Sequence, residues 1–203
     1  MRLENSERHN IIILPGLSDG VRNIERVTSW WKYVGLTPHV LPVGWHDGES
    51  DFQPKLEKIL TLADQLSQEG LVSIVGTSAG GSAAFNAFLE RPGIIRNAVN
   101  VCGRLRAGTH NWRSLEKMSA TSESFKNSVL LFESREPTIP KELKTRMMTV
   151  SPLFGDELVP ADTSDLKDAY NLRIPTVEHV LSIAMSLTFF VHPLIVFLRR
   201  ENT

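Results

Sequence analysis

The 203 residues include 22 Lys and Arg against 23 Asp and Glu, a net charge of −1, and 41% of them are hydrophobic. That balance excludes a basic field for nucleic acid and an acidic partner-binding tail, and the length suits one domain spanning residues 1–203. The lone cysteine, Cys102, excludes an intramolecular disulfide and a Cys-rich zinc site. The polar start has only Ile11 to Leu14 apolar after it, too short for a secretory core, so a cytoplasmic protein is expected.

Strand-like and helix-like segments alternate along the chain, the pattern of a mostly parallel sheet with helices on both faces. Residues 9–14 (HNIIIL) read as a first buried strand, ending at Pro15-Gly16-Leu17-Ser18-Asp19-Gly20. Val21, Ile24, Val27, Trp30 or Trp31 and Val34 recur at helical spacing until Gly35. Residues 37–43 read as a second strand, and a loop through Gly44-Trp45-His46-Asp47-Gly48 follows. The next helix carries Pro54 in its first turn and buries Leu56, Ile59, Leu60, Ala63 and Leu66 before Gly70. A third strand precedes Gly76 and a helix follows to Glu90. A fourth strand covers about 97–102. Phe125, Val129 and Phe132 favour a helix capped by Thr121 or Ser122 over a strand at 128–133. A fifth strand at 146–150 ends in Ser151-Pro152-Leu153-Phe154-Gly155-Asp156, and a weaker sixth at 169–174 precedes Pro175. A C-terminal helix starts near Val177. Its apolar stretch, 183–198, is short for a membrane span and contains His192-Pro193, so it is expected to bury against the sheet or to form a homodimer contact.

The third strand runs straight into Gly76-Thr77-Ser78-Ala79-Gly80, a G-x-S-x-G pattern with a helix after it. A serine on so tight a turn projects its hydroxyl outward, at a helix N-terminus that favours developing negative charge. The spacing does not match a dinucleotide fingerprint, and the lysine of a phosphate loop is absent. A serine nucleophile needs a base within reach and an acid to orient it. In a doubly wound sheet, functional groups gather at the carboxyl ends of strands. Ser78 follows the third strand, Asp156 the fifth and His179 the sixth, which puts all three on one rim.

In these features the chain resembles an α/β-hydrolase, through its GTSAGG elbow, its GDELVP segment and its PTVEHV segment, in the order nucleophile, acid, histidine. The resemblance implies a three-layer α/β sandwich of about six strands, a minimal version of that fold without its usual first two strands. It also implies Ser78, Asp156 and His179 as a catalytic triad. The oxyanion hole would come from the backbone N–H of Ala79 and of Leu17, where Pro15-Gly16 stands in place of the His-Gly of many members. The segment in which many members insert a cap, here 103–144, is only about forty residues long. Little or no lid is therefore expected, with a shallow site for small or short-chain esters. Trp45 and His46 are candidates for lining it. The implied activity is a serine-dependent carboxylic ester hydrolase with no cofactor. A thioesterase, an acyltransferase or a partner-binding protein on the same fold are the rivals. Were 128–133 a strand, Glu133 or Glu136 would supply the acid instead. His192 reads as an interior residue, and His9, His39 and His110 as ordinary loop or strand-edge residues. Cys102 reads as a buried small hydrophobe, residues 141–146 as a solvated face, and no clustered pattern suggests a catalytic metal.

Overall fold

Short β-branched runs set the frame. Ile11-Ile12-Ile13-Leu14, Val72 through Val75 and Ala98 through Val101 are buried throughout, as strands covered on both faces require. The computed structural model describes residues 8–109 and 113–201. Its strands are β1 (His9–Leu14), β2 (Leu36–Val40), β3 (Leu71–Thr77), β4 (Ile95–Val101), β5 (Met147–Pro152) and β6 (Tyr170–Ile174). All pair in parallel, in the order β2-β1-β3-β4-β5-β6. This is the expected six-stranded α/β sandwich, and the parallel pairing points every strand's carboxyl end to one rim.

The helices are α1 (Val21–Thr28), α2 (Gln53–Ser67), α3 (Gly80–Glu90), α4 (Leu115–Met118), α5 (Glu123–Arg135), α6 (Lys141–Lys144), α7 (His179–Leu187) and α8 (His192–Arg199). Ile12, Leu14 and Ile74 face the layer built by α2, α3 and α5, where Leu56, Phe85 and Phe132 pack. Ile11, Ile13, Val75, Val99 and Val150 face the opposite layer, where Trp31, Leu187, Leu194 and Leu198 lie. Alternation along each strand thus serves two cores at once. The segment at 128–133 is helical, as its periodicity predicts. Ser122 caps α5 by accepting from the Phe125 N–H at 3.3 Å.

Several expectations need correction. The first helix tightens into a 3₁₀ turn at Ser29–Val34 before Gly35 closes it at φ +74°. The second strand ends at Val40, because the N–H of Val43 turns to Asp19 and leaves the sheet. The C-terminal helix is two helices, α7 and α8, bent by 60°. Pro193 lacks an N–H and sits in the first turn of α8, so the ladder restarts there. His192 is accordingly an exposed first residue of α8, not an interior one. Among the described residues, no single helix is long and apolar enough to cross a membrane.

Two further residues depart from the simple reading. His9 is buried, with Nε2 2.9 Å from Ser73 Oγ, because parallel pairing sets β1 beside β3. Arg146 is no solvated charge. It lies over the Phe88 ring and donates to the carbonyls of Pro92, Ile95 and Arg96. Buried Asn97 closes α8: its Nδ2 donates to the carbonyls of Phe197, Leu198 and Arg200 at 3.1–3.2 Å. The Arg200 N–H also donates to the Phe197 carbonyl at 3.1 Å, so the amide reinforces the turn that closes the helix.

Candidate active site

The elbow forms because the chain must pass from β3 to α3 with almost no loop. Ser78 sits between them at φ +52°, a conformation that L-residues enter at a cost of about 1–2 kcal/mol. Its N–H donates to the Val101 carbonyl at 2.9 Å, and its own carbonyl accepts from the Gly81 N–H at 2.9 Å. Glycine is required on both sides. A Cβ on Gly76 would lie 2.0 Å from the Gly80 carbonyl oxygen, and one on Gly80 would lie 2.3 Å from that of Leu14.

The loops after β5 and β6 bring two more side chains to this hydroxyl. His179 Nε2 is 2.8 Å from Ser78 Oγ, and His179 Nδ1 is 2.8 Å from Asp156 Oδ2. Asp156 and His179 are buried, whereas Ser78 is half-buried. Burial pushes the Asp156 carboxyl up, but the His179 hydrogen bond and charge outweigh it, aided by the Val159 and Leu158 N–H groups, and hold it below its ordinary value. Those two N–H groups donate to Oδ1 at 2.9 and 2.8 Å, which leaves Oδ2 for the imidazole. The three side chains singled out in the sequence therefore form one continuous hydrogen-bonded line.

The same loops also fix the first turn of α7, through two residues the sequence did not bring forward. The Glu157 carboxylate accepts from the His179 N–H at 2.9 and 3.1 Å. Glu178, at φ +73°, caps α7 by accepting from the Val180 and Leu181 N–H groups at 3.1 and 2.6 Å. The signal for Glu178 was visible as an acidic residue just before an apolar helical run. Glu157 had no comparable local signature.

The two expected oxyanion donors belong to the residue after Ser78 and to the residue after Gly16. The N–H of Ala79 lies at the start of α3, and Leu17 follows Gly16, where an added Cβ would sit 2.9 Å from Ser78 Cβ and 3.4 Å from its Oγ. Among the described residues neither N–H has a backbone acceptor. Trp45 and His46 do not line the site as expected. Trp45 is buried, stacks on Phe52 and meets Phe125 edge-on, because its indole packs under the loop and not over the rim. His46 turns its Nδ1 to the Thr121 carbonyl at 2.9 Å. A cavity of about 560 Å³ lies on the acid side, with Cys102, Ser151, Phe154, Asp156 and Val177 in its walls.

The alternative acids are committed elsewhere. Glu133 accepts from the Ala107 N–H, and Glu136 grips Arg106 through both oxygens. His39 bonds to Asn10, and His110 lies outside the described residues. Cys102 is buried, and burial pushes its thiol up, so it stays protonated as a small apolar group. Among the described residues, no group of three or more His, Cys, Asp or Glu side chains is placed to hold a metal ion.

No protein-family profile matches the sequence, and no curated protein does either. The backbone does find matches. It is similar to a structure from a study of LipS and LipT, two metagenome-derived lipolytic enzymes. The TM-score is 0.68 at 11% identity, over 96% of this chain and 95% of that one. The chain has the α/β-hydrolase fold. A lipase-esterase related protein from Clostridium acetobutylicum aligns with this hydrolase fold at TM-score 0.66 and 12% identity, over 93% of this chain and 95% of that one. Est1E from Butyrivibrio proteoclasticus aligns at TM-score 0.61 and 17% identity, over 96% and 88%. Within the α/β-hydrolase fold, the elbow after β3 and the loops after β5 and β6 carry Ser78, Asp156 and His179.

Proposed function

We propose that this chain is a serine hydrolase that cleaves carboxylic esters, with small or short-chain acyl groups as its substrates. The observation that carries the reading is the hydrogen-bonded line from Ser78 Oγ through His179 to Asp156, 2.8 Å at each step. A binding protein has no need of that arrangement, whereas a serine hydroxyl is inert without it. The lipolytic and esterase-related neighbours support the same reaction class. The preference for short acyl groups rests on the absence of a long insertion. The longest helix of 103–144, α5, packs on α3 through Phe132 and Phe85, and few residues remain to roof the serine.

In this mechanism His179 Nε2 takes the proton from Ser78 as Oγ attacks the ester carbonyl carbon. The carbonyl π electrons move to oxygen, and the Ala79 and Leu17 N–H groups hold the resulting oxyanion. Collapse expels the alcohol, which takes its proton from His179 and leaves an acyl-enzyme. Water then attacks that acyl group, His179 again relaying the proton, and the acid departs with Ser78 restored. Asp156 keeps the Nδ1–H tautomer facing itself, so that Nε2 is the nitrogen presented to Ser78.

Fluorophosphonate labelling of the purified protein tests the reading, with Ser78→Ala as control. Labelling of the wild type alone is expected, and an unlabelled, folded wild type would overturn it. Aryl esters of increasing acyl length, beside acyl-thioesters, then test the substrate. Turnover should be fastest with short-chain esters, and a preference for long chains or thioesters would overturn that assignment.

A further inference from the structure

We infer that Asp19 is a positioning residue that, with Trp45, sets the Leu17 N–H where the oxyanion forms. The inference rests on the hydrolase reading and extends it to how the first donor is held. The loop after β1 has no secondary structure of its own, yet an oxyanion donor must be placed to within about 0.5 Å. Asp19 is what ties it down. Its Oδ1 accepts from the Val43 N–H at 2.9 Å, and its Oδ2 accepts from the N–H groups of Gly44 and Trp45 at 3.0 and 2.9 Å. Three successive N–H groups converge on one carboxylate because Gly44 turns the backbone at φ +88°. A Cβ there would meet the Asp47 carboxylate at 2.5 Å.

Asp19 also adopts φ +46°, which a non-glycine residue holds only when its surroundings compel it. Its N–H closes a turn onto the Gly16 carbonyl at 2.9 Å, and its own carbonyl accepts from Val21 at 2.8 Å as α1 begins. The other end of the turn is anchored to the same loop, since Trp45 Nε1 donates to the Pro15 carbonyl at 3.2 Å. Leu17 thus lies between two anchors, Pro15 and Asp19, both held by residues 43–45. Gly16 is pressed against Ser78 in the same turn. A carboxylate serving only to stabilise a surface loop would not need its partner loop to grip both sides of the donor peptide.

The test uses the full chain, an aryl acetate as substrate and an aryl trifluoromethyl ketone, which adds to serine as a tetrahedral oxyanion. Asp19→Asn keeps the size of the side chain but loses acceptor capacity. Its kcat should fall about 10- to 100-fold with KM within about twofold. The ketone's inhibition constant should rise by the factor that kcat/KM falls, a parallel that loosened packing alone would not produce. Trp45→Phe keeps the ring in the core and deletes one N–H, and should lose about three- to tenfold in kcat in the same pattern. A wild-type kcat in folded Asp19→Asn would overturn the proposal, as would a lower kcat with unchanged ketone affinity. If Asp19→Asn does not fold, an unchanged kcat in Trp45→Phe overturns it. A wild type that neither labels nor turns over esters overturns the hydrolase reading itself, and this inference with it.

Discussion

The buried ring of His9 makes a quantitative claim about acid stability. It is 5% exposed at the amino end of β1, and burial, followed by the positive charges of Arg96 and Arg199, lowers its pKa from 6.5 to about 4. The folded value lies below the unfolded one. Between those values the unfolded chain takes up a proton that the native chain refuses. Stability is therefore full above about pH 6.5, falls as the pH drops towards 4, and loses nothing further from this group below that. A difference of about 2.5, at about 1.4 kcal/mol per pH unit, is about 3–4 kcal/mol. Solvent near the ring edge trims that to about 2–3 kcal/mol. His9→Gln removes the titration and keeps an amide within reach of Ser73. Urea unfolding of both proteins at pH 7, 6, 5 and 4 separates this histidine from every carboxylate they share. The wild type's advantage over the variant should shrink by about 2–3 kcal/mol across that range. Parallel loss in the two proteins would refute the reasoning.

Other predictions concern the site and its support. Asp156→Asn cannot hold the productive tautomer of His179 and should lower kcat about 10⁴-fold with the fold intact; a near wild-type rate would remove Asp156 from the mechanism. Gly16→Ala places a Cβ 2.9 Å from Ser78 Cβ, so the loop must retreat. Its kcat should fall about tenfold or more while the melting temperature moves little, as steady-state kinetics and a thermal melt would show. Asn97→Leu leaves the carbonyls of Phe197, Leu198 and Arg200 without the amide that caps them, and should cost about 1–3 kcal/mol in urea unfolding. Ester turnover at 25 °C should be unchanged in that variant, because Asn97 lies near the amino end of β4, away from the rim.

What the sequence made legible was governed by local pattern. The central strands β1, β3 and β4 announce themselves as buried β-branched runs, and strand order places Ser78, Asp156 and His179 on one edge without knowledge of any contact. The helix α5 is readable from three apolar positions and a serine cap. Illegible features depend on partners distant in the chain. His9 is buried only because Ser73 arrives beside it on β3, 64 residues later. Asp19 reads as a turn residue until Val43, Gly44 and Trp45 close on it. Trp45 looks like a pocket aromatic until its indole is seen donating to Pro15 in the loop after β1. The break between α7 and α8 was signalled by Pro193, but the apolar run on both sides of it has the composition of one continuous helix.

The left-handed backbone of Ser78 sets stability against activity at a single position. The φ of +52° is open to glycine without the steric cost that serine bears there. Ser78→Gly should melt no lower than the wild type, although it deletes the hydroxyl to which His179 is aimed. A screen for heat resistance alone would therefore favour glycine at the very position the proposed chemistry needs. On the proposed function, selection for turnover is what keeps a serine at the elbow.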